Sequence, residues 1–428
     1  MRTATTLTRF RTQVAHLHSG PTLVSPASAC SILLVLILAV PPASASPAVE
    51  GRMTSQYRPL SPSPSSTSNS LHGVSALSAT DAWAVGEYVE DGTGAKSSLI
   101  LRWNGQTWLQ IPSPNPSSTQ NSLVDVSAVT ASDAWAVGGF TDDSTESNQT
   151  LILHWDGVGW SAIPSPNPGV NGYLSGVTAL SGTDAWAVGS FENSSGYDRT
   201  LILHWDGAGW ARVVSPNPNP RHNYLIDVSA VSTRDVWAVG DMRLNGGDSL
   251  VLRWDGMRWS KVPSPNPSYR ALLYGVSAAS ASDAWAVGGT CCNRTLILHW
   301  NGTQWSRDRS PSPGGGSDDH FLNSASAISA QEAWAVGHAC KRIVGGVNDA
   351  MRCHTFTAHW DGTRWSRIRS PNPSSSDLGV NSGIANELNG VSAISTTDVW
   401  AVGEYTEDVS RATLTLILHW DGAAWSQA

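Results

Sequence analysis

The apolar positions of this chain come in short runs with strand spacing and no helical period, and the runs recur. Residues 123–165 hold four of them, LVDVSAVT, DAWAVGGF, TLILHWDG and WSAIPS, labelled here strands a to d. Runs of this length, rich in β-branched and aromatic residues and bounded by Gly, Pro, Asn and Ser, predict β-strands. The quartet is written seven times: with the tryptophan of WAVG as origin, the units stand at Trp83, Trp135, Trp186, Trp237, Trp285, Trp334 and Trp400, spaced by 52, 51, 51, 48, 49 and 66 residues. A period of about 50 residues is that of an array or a propeller.

Each strand has its own chemistry. Strand a is built from small residues, as in GVSALS, DVSAVT and GVTALS, which suits the strand nearest a crowded axis. Asp-Gly or Asn-Gly joins c to d in every unit, a dipeptide that favours a tight hairpin with positive φ. The SPNP after strand d cannot continue a β-ladder, so it releases the chain into an extended linker. Four antiparallel strands and a crossing linker make one propeller blade. The fold class predicted is therefore all-β, a closed seven-bladed β-propeller with four antiparallel strands per blade. The blades are expected at about 71–122, 123–173, 174–224, 225–272, 273–321, 322–387 and 388–428. The last unit stops at Ala428, short of its SPNP, and Ser61-Pro62-Ser63-Pro64 supplies an equivalent linker into the first, inside a linker and ring-closure segment at 46–70. An open solenoid is the other arrangement of such units, but distinct capping repeats are missing.

Repetition also sorts structural from functional residues. All 21 tryptophans are repeat residues, three per unit, which points to packing between blades rather than to ligand platforms. The acid that opens the WAVG phrase, Asp81, Asp133, Asp184, Asp235, Asp283, Glu332 or Asp398, cannot converge on one substrate with six copies of itself around a ring; a turn role bonding nearby amides is expected. Before the strand c tryptophan stand His154, His204, His299, His359 and His419, with Arg102 and Arg253 in the other two units. Arginine is not a normal metal ligand, so the exchange points to a packing or solvated role.

WAVG followed by Trp-Asp-Gly and a further tryptophan resembles the secreted, Trp-rich β-propeller repeats of actinobacteria and Chloroflexi, related in pattern to kelch and Asp-box propellers. The resemblance covers residues 71–428. It departs from the Asp-box at Asp156-Gly157-Val158-Gly159-Trp160, one residue shorter than D-x-G-x-T-W, and from kelch in that only Gly138-Gly139 and Gly288-Gly289 carry a paired glycine. Tyr57-Arg58-Pro59-Leu60 only loosely matches the Arg-Ile-Pro of Asp-box sialidases. What the resemblance implies is the fold, not a reaction.

A formal charge of −8 argues against nucleic acid as a partner, which would need a basic face. Residues 1–45 read as a signal peptide: Arg2, Arg9 and Arg11, an apolar run from Ile32 to Val40, then Ala43-Ser44-Ala45. Such a run is too short for a bilayer core of about 30 Å, so the chain is read as secreted, extracellular and monomeric, with no membrane span after processing; retention as an anchor is the other outcome.

The b-to-c and d-to-a connections vary, and on a propeller they share one face, where binding groups are commonly placed. Every cysteine after the leader lies there: Cys291, Cys292, Cys340 and Cys353. In an exported chain these predict two disulfides of open connectivity. A Cys340–Cys353 bridge would leave Cys291 and Cys292 as a vicinal pair, a bridge from Cys291 to Cys340 is its rival, and a zinc site with His338 and His354 is a third arrangement. Five residues past the WAVG tryptophan stand Tyr88, Phe140, Phe191 and Tyr405, in blades that closure makes adjacent, among Glu87, Glu90, Asp91, Asp142, Asp143, Glu192, Glu404, Glu407 and Asp408. The expectation is an aromatic, acidic crescent that binds a glycan or an extracellular protein; no cofactor is required, although Ca²⁺ would suit the acids. At the channel, Asp125 and Asp227 replace glycines and are ligand-binding candidates. They also raise the alternative of a carbohydrate-active enzyme, hydrolase or lyase, working by acid and base catalysis, although blades 2 and 4 are not adjacent. No catalytic residue is assigned.

Overall fold

The computed structural model describes residues 61–242, 247–267, 270–290, 294–312, 319–343, 350–374 and 386–428, all within one compact unit, Gln56–Ala428. The leader at 1–45, residues 46–60 of the linker, and Cys291 and Cys292 lie outside the described residues. Seven sheets of four antiparallel strands follow one another, each in sequence order from a to d. In the first blade a is Asn69–Ser78, b Asp81–Val89, c Lys96–Trp103 and d Trp108–Gln110. Across the seven blades strand a begins at Asn69, Asn121, Gly172, Asn223, Ala271, Asp319 and Asn386, two or three residues ahead of the expected blade boundaries.

Strand a of each blade lines the axis, and its small residues form a closed ring of hydrogen bonds. The Ser75 hydroxyl accepts from the Ala128 amide of the next blade at 3.0 Å, Ser127 from Ala179 at 3.0 Å, and so on to Ser392, which accepts from Ala76 at 3.0 Å. A hydroxyl can bridge two backbones this closely only where no bulk intervenes, which is why serine, threonine and alanine recur there.

Farther out, tryptophans seal the blades together. The fully buried Trp83 ring lies 5.0 Å from Trp155 and 5.1 Å from Trp160, the c and d tryptophans of the next blade. The pattern runs round to Trp400, 5.1 Å from Trp103 and 5.3 Å from Trp108 in the first blade. Tilted and edge-to-face pairs at these distances contribute roughly 0.5–1.5 kcal/mol each beyond the area they bury.

The repeated acid works differently from the expected turn role. A hydroxyl caps the a-to-b turn, as Ser78 does for the Thr80 amide at 3.2 Å, while the carboxylate reaches across to strand c. Asp133 meets His154 at 2.9 Å, and Asp81 holds Arg102 through two contacts of 3.0 and 3.1 Å. The partner then lies on the strand b tryptophan, His154 at 4.2 Å from Trp135 and Arg102 at 4.7 Å from Trp83. Histidine and arginine interchange because both offer a flat donor to the acid and a flat face to the indole.

The c-to-d turn is a four-residue loop rather than a two-residue one. Its glycines have φ from 85° at Gly362 to 93° at Gly157, and the Asp156 carboxylate accepts the Val158 and Gly159 amides at 2.9 Å. The SPNP linker is bonded to strand c: Asn115 accepts the Ser98 amide at 2.8 Å, and Asn167 the Thr150 amide at 2.8 Å. In the last blade the strand c residue is Thr415, and Ser61 and Ser63 from the beginning of the chain meet its hydroxyl at 2.8 and 2.9 Å.

Candidate functional site at the channel mouth

At the a-to-b turn the blades are nearly identical. At the opposite end of the same two strands they are not, and that end rims the channel. The register pairs there are Ser70 with Glu87, Ser122 with Gly139, Tyr173 with Ser190, Tyr224 with Asp241, Leu272 with Gly289, Phe321 with His338, and Glu387 with Glu404. Just inside lies a cavity of about 360 Å³, walled by strand a residues that include His72, Asp125, Asp227, Tyr274, Asn323 and Glu387.

The two candidate aspartates therefore face one cavity. Each sits at a bulge, where the ladder skips between Leu123 and Asp125 and between Leu225 and Asp227. Each also spans two blades with its carboxylate. Asp125 accepts the Val126 amide and, from blade 3, the Val177 amide, both at 2.8 Å; Asp227 accepts Val228 at 2.8 Å and, from blade 5, Val276 at 2.7 Å. Burial pushes the Asp227 carboxyl up to about 6, against the pull of its two amides. Burial, with the charge of Asp227 across the channel, drives Asp125 up more strongly. Their neighbour positions are glycines for lack of room: a Cβ on Gly73 would stand 2.8 Å from the Asp125 Cα.

Around the rim, charge is paired. Lys96 reaches Glu87 at 2.6 Å, and His338 and Asn323 reach Glu387 at 2.8 and 2.9 Å. Burial raises both glutamates, but these donors outweigh it and each ionises below the ordinary glutamate range. Glu404 accepts from the Ser70 hydroxyl, but burial, with the charges of Glu387 and Glu87, outweighs that bond and leaves it above that range. Burial lowers His72, which faces Glu87, Lys96 and Glu387. Beside the rim a recess of about 230 Å³ is lined by Glu87, Lys96, Ser122, Phe140 and Tyr173 among others.

The expected aromatic crescent is largely withdrawn into the protein. Phe191 and Tyr405 are 6% and 2% exposed, and Tyr88 and Phe140 are half-buried against the same clusters between blades. The reason is parity. Strand side chains alternate, so a residue five places past the tryptophan shares the side of the WAVG alanines, which faces the preceding blade. Met242 and Ala339, at the same place in blades 4 and 6, are buried too. Phe140 lines the recess beside the rim.

Several acids of that crescent are loop clamps. Asp91 accepts the Ser66 amide at 3.1 Å, Asp143 the Ser118 amide at 2.9 Å, and Asp408 the Ser374 hydroxyl at 2.8 Å. Among the described residues no three His, Cys, Asp or Glu side chains converge on a point that could hold a metal ion. Cys340 and Cys353 face each other across the b–c hairpin and form a disulfide, which removes both the zinc arrangement and the Cys291–Cys340 rival.

Strand a residues at the mouth, His72, Tyr274, Asn323 and Glu387, were not singled out by the sequence as a set. The signal available was their variation: they stand one residue, or for Glu387 three, before the small-residue motif of strand a begins.

The architecture defines the chain as a seven-bladed β-propeller of four-stranded blades. No family model matches it, and no curated protein does. Among solved structures it is similar to YCF48 bound to D1 peptide (14% identity, TM-score 0.49, covering 83% of this chain and 94% of that one). It is also similar to YCF48 from Cyanidioschyzon merolae (17%, TM-score 0.47, 83% and 96%). A third is the Aleuria aurantia lectin in complex with Fucalpha1-6GlcNAc (12%, TM-score 0.41, 71% and 94%). These likenesses concern the fold alone.

Proposed function

We propose that this protein is a secreted, extracellular binding module of the Trp-rich bacterial propeller type, which seats a polar ligand, a glycan or a segment of another protein, at the channel mouth. One observation carries the reading: the residues that break the sevenfold repetition converge on the cavity of about 360 Å³, where carboxylates, an imidazole, a phenol and an amide meet. That is the chemistry of hydrogen-bonded recognition, with few polar groups placed on a rigid frame. The leader-like residues 1–45 and the Cys340–Cys353 disulfide support an exported chain.

A carbohydrate-active enzyme is the second reading, favoured by Asp125 and Asp227, two carboxyls with raised pKa facing one space. Against it, both oxygens of each are bonded to backbone amides of two blades, which suits an architectural clasp better than a group that must exchange protons with substrate. Glycan and peptide arrays run beside turnover assays decide between them. Binding lost in Tyr274→Ala and Glu387→Gln at unchanged melting temperature supports the module. Turnover that Asp125→Ala and Asp227→Ala abolish overturns it in favour of the enzyme.

A further inference from the structure

A second surface differs between blades without any demand from the fold. Two places after the outermost tryptophan, blades 1 to 6 each have an exposed strand d residue in the same part of the ladder, while in blade 7 the residue there is half-buried: Leu203 pairs with Arg212, Leu252 with Lys261, and Leu298 with Arg307. In blades 7, 1 and 2 this residue is Gln427, Gln110 or Ala162, so the strand needs no charge there. In blades 3 to 6 it is Arg212, Lys261, Arg307 and Arg367, one cation on each of four consecutive blades. Two places farther on stands Pro112, Pro164, Val214 or Pro263 in blades 1 to 4, but Arg309 and Arg369 in blades 5 and 6. Alternation puts both positions on one side of an extended strand.

Among the described residues the cations are not neutralised: no acid lies within ion-pair distance of any of these six side chains. Arg212 and Arg367 rest instead on aromatic faces, 4.5 Å from the Phe191 centroid and 5.5 Å from Phe356. Arg367 is held below the ordinary arginine value by burial and then by the repulsion of Arg369. Two recesses of about 410 and 530 Å³ lie against blades 5 and 6, one lined by Arg294, Arg307 and Arg309, the other by Arg309 and Arg364, with Asp308 and hydroxyls in both. All this sits on a chain whose formal charge is −8.

We propose that the outer strands of blades 3 to 6 bind an extended polyanionic glycan, carrying sulfate or carboxylate groups, independently of the channel mouth. Guanidinium forks match the paired oxygens of sulfate and carboxylate. Cations spread over four successive blades suit a polymer that lies along the edge rather than a single small anion. Such binding releases counterions and falls steeply with salt.

The test uses heparin, polygalacturonate, neutral dextran and a single-stranded DNA of matched charge as probes of the whole chain. Heparin or polygalacturonate is expected to bind, dextran not to, and DNA to bind more weakly than the acidic glycans. Joint replacement Arg307→Ala, Arg309→Ala, Arg367→Ala and Arg369→Ala is expected to weaken glycan binding about 100-fold at low salt and to flatten its salt dependence. Arg307, Arg309 and Arg369 are exposed and Arg367 gives up only its contact with Phe356, so the melting temperature should fall little. Gln110→Arg with Ala162→Arg, which extends the arc onto blades 1 and 2, is expected to strengthen binding, a gain that misfolding cannot produce. No retention of either acidic glycan, unchanged affinity in the fourfold variant, or tighter binding of DNA than of glycan would each overturn the proposal.

Discussion

Asp125 of blade 2 accepts the backbone amide of Val177 in blade 3 at 2.8 Å, so a residue at the channel wall is also a clasp between blades. Asp227 repeats the arrangement between blades 4 and 5 through Val276. Both carboxyls have folded pKa values above the ordinary 3.8, Asp227 at about 6. The native state therefore keeps protons that the unfolded chain gives up, and stability should fall as pH rises from about 4 through about 6, with Asp125 carrying the loss higher. Melting temperatures across this range, set against a double Asp125→Asn, Asp227→Asn variant, measure it. The variant should show a flatter slope, although it starts lower by about 1 kcal/mol for each amide left without an acceptor. Equal slopes would mean that the protons reside elsewhere, His72 and Glu387 being the other titrating groups that line this cavity.

Gly139 and Gly289 follow the WAVG glycine in only two blades, and the next blade explains both. Tyr173 lies over Gly139 and Phe321 over Gly289, so close that an added Cβ would stand 2.5 and 2.3 Å from ring carbons. Gly139→Ala is expected to cost roughly 1–3 kcal/mol through overpacking. In a Tyr173→Ser background, which restores the serine that blade 2 has at this rung, the same substitution should cost little. Chemical denaturation of the four proteins of this double-mutant cycle gives the coupling, and additive losses would disprove the contact.

The blade number was legible because repetition multiplies a weak signal: one strand quartet is ambiguous, seven in register are not. Parity is encoded as well, since five residues past Trp186 or Trp400 an odd step places Phe191 and Tyr405 on the alanine side, and the expectation of an aromatic crescent overlooks it. The mouth was harder. Strand a begins ahead of the small-residue motif that marks it, at Asn69 rather than near Gly73, and the residues so passed over include Ser70 and His72, which carry the rim. That seven such starts converge on one cavity depends on ring geometry, which local sequence does not encode. The cation arc lay hidden for the opposite reason, since Arg307 and Arg367 occupy a structurally indifferent position inside a repeat where attention goes to what stays the same.

The Cys340–Cys353 bridge joins directly paired residues of strands b and c in blade 6, with sulfurs 2% and 0% exposed as residues. Burial should protect it: reductant is expected to leave the bridge intact in the native protein and to open it only when denaturant is present. Peptide mapping with differential alkylation reads this directly. Replacing both cysteines by serine should cost about 3 kcal/mol if loop entropy governs and should hasten proteolysis between the two positions. Free thiols at 340 and 353 in the untreated protein would refute the pairing.

Beyond the Ser392–Ala76 bond of the inner ring, two further layers close blade 7 on blade 1, and they can be weakened separately. At the outer layer Trp400 packs on Trp103 and Trp108 of the first blade; farther up, Ser61 and Ser63 bond Thr415 of the last. Trp400→Ala should cost roughly 3–5 kcal/mol, the usual loss for deleting a large buried aromatic side chain. Thr415→Val keeps the shape but removes the hydroxyl, leaving Ser61 and Ser63 short of a partner, at about 1 kcal/mol per hydrogen bond. Removing the chain through residue 66 also takes away the Ser65 support of Asn69, whose side chain accepts the Ser65 amide at 2.8 Å and donates to the Ser65 carbonyl at 2.8 Å. The truncated protein is therefore expected to melt lower than Thr415→Val and to exchange amide hydrogens faster in blades 7 and 1 than in blade 4. Uniform exchange around the ring would mean that the N-terminal linker contributes nothing to closure, which the tryptophans and the Ser392–Ala76 bond would then supply.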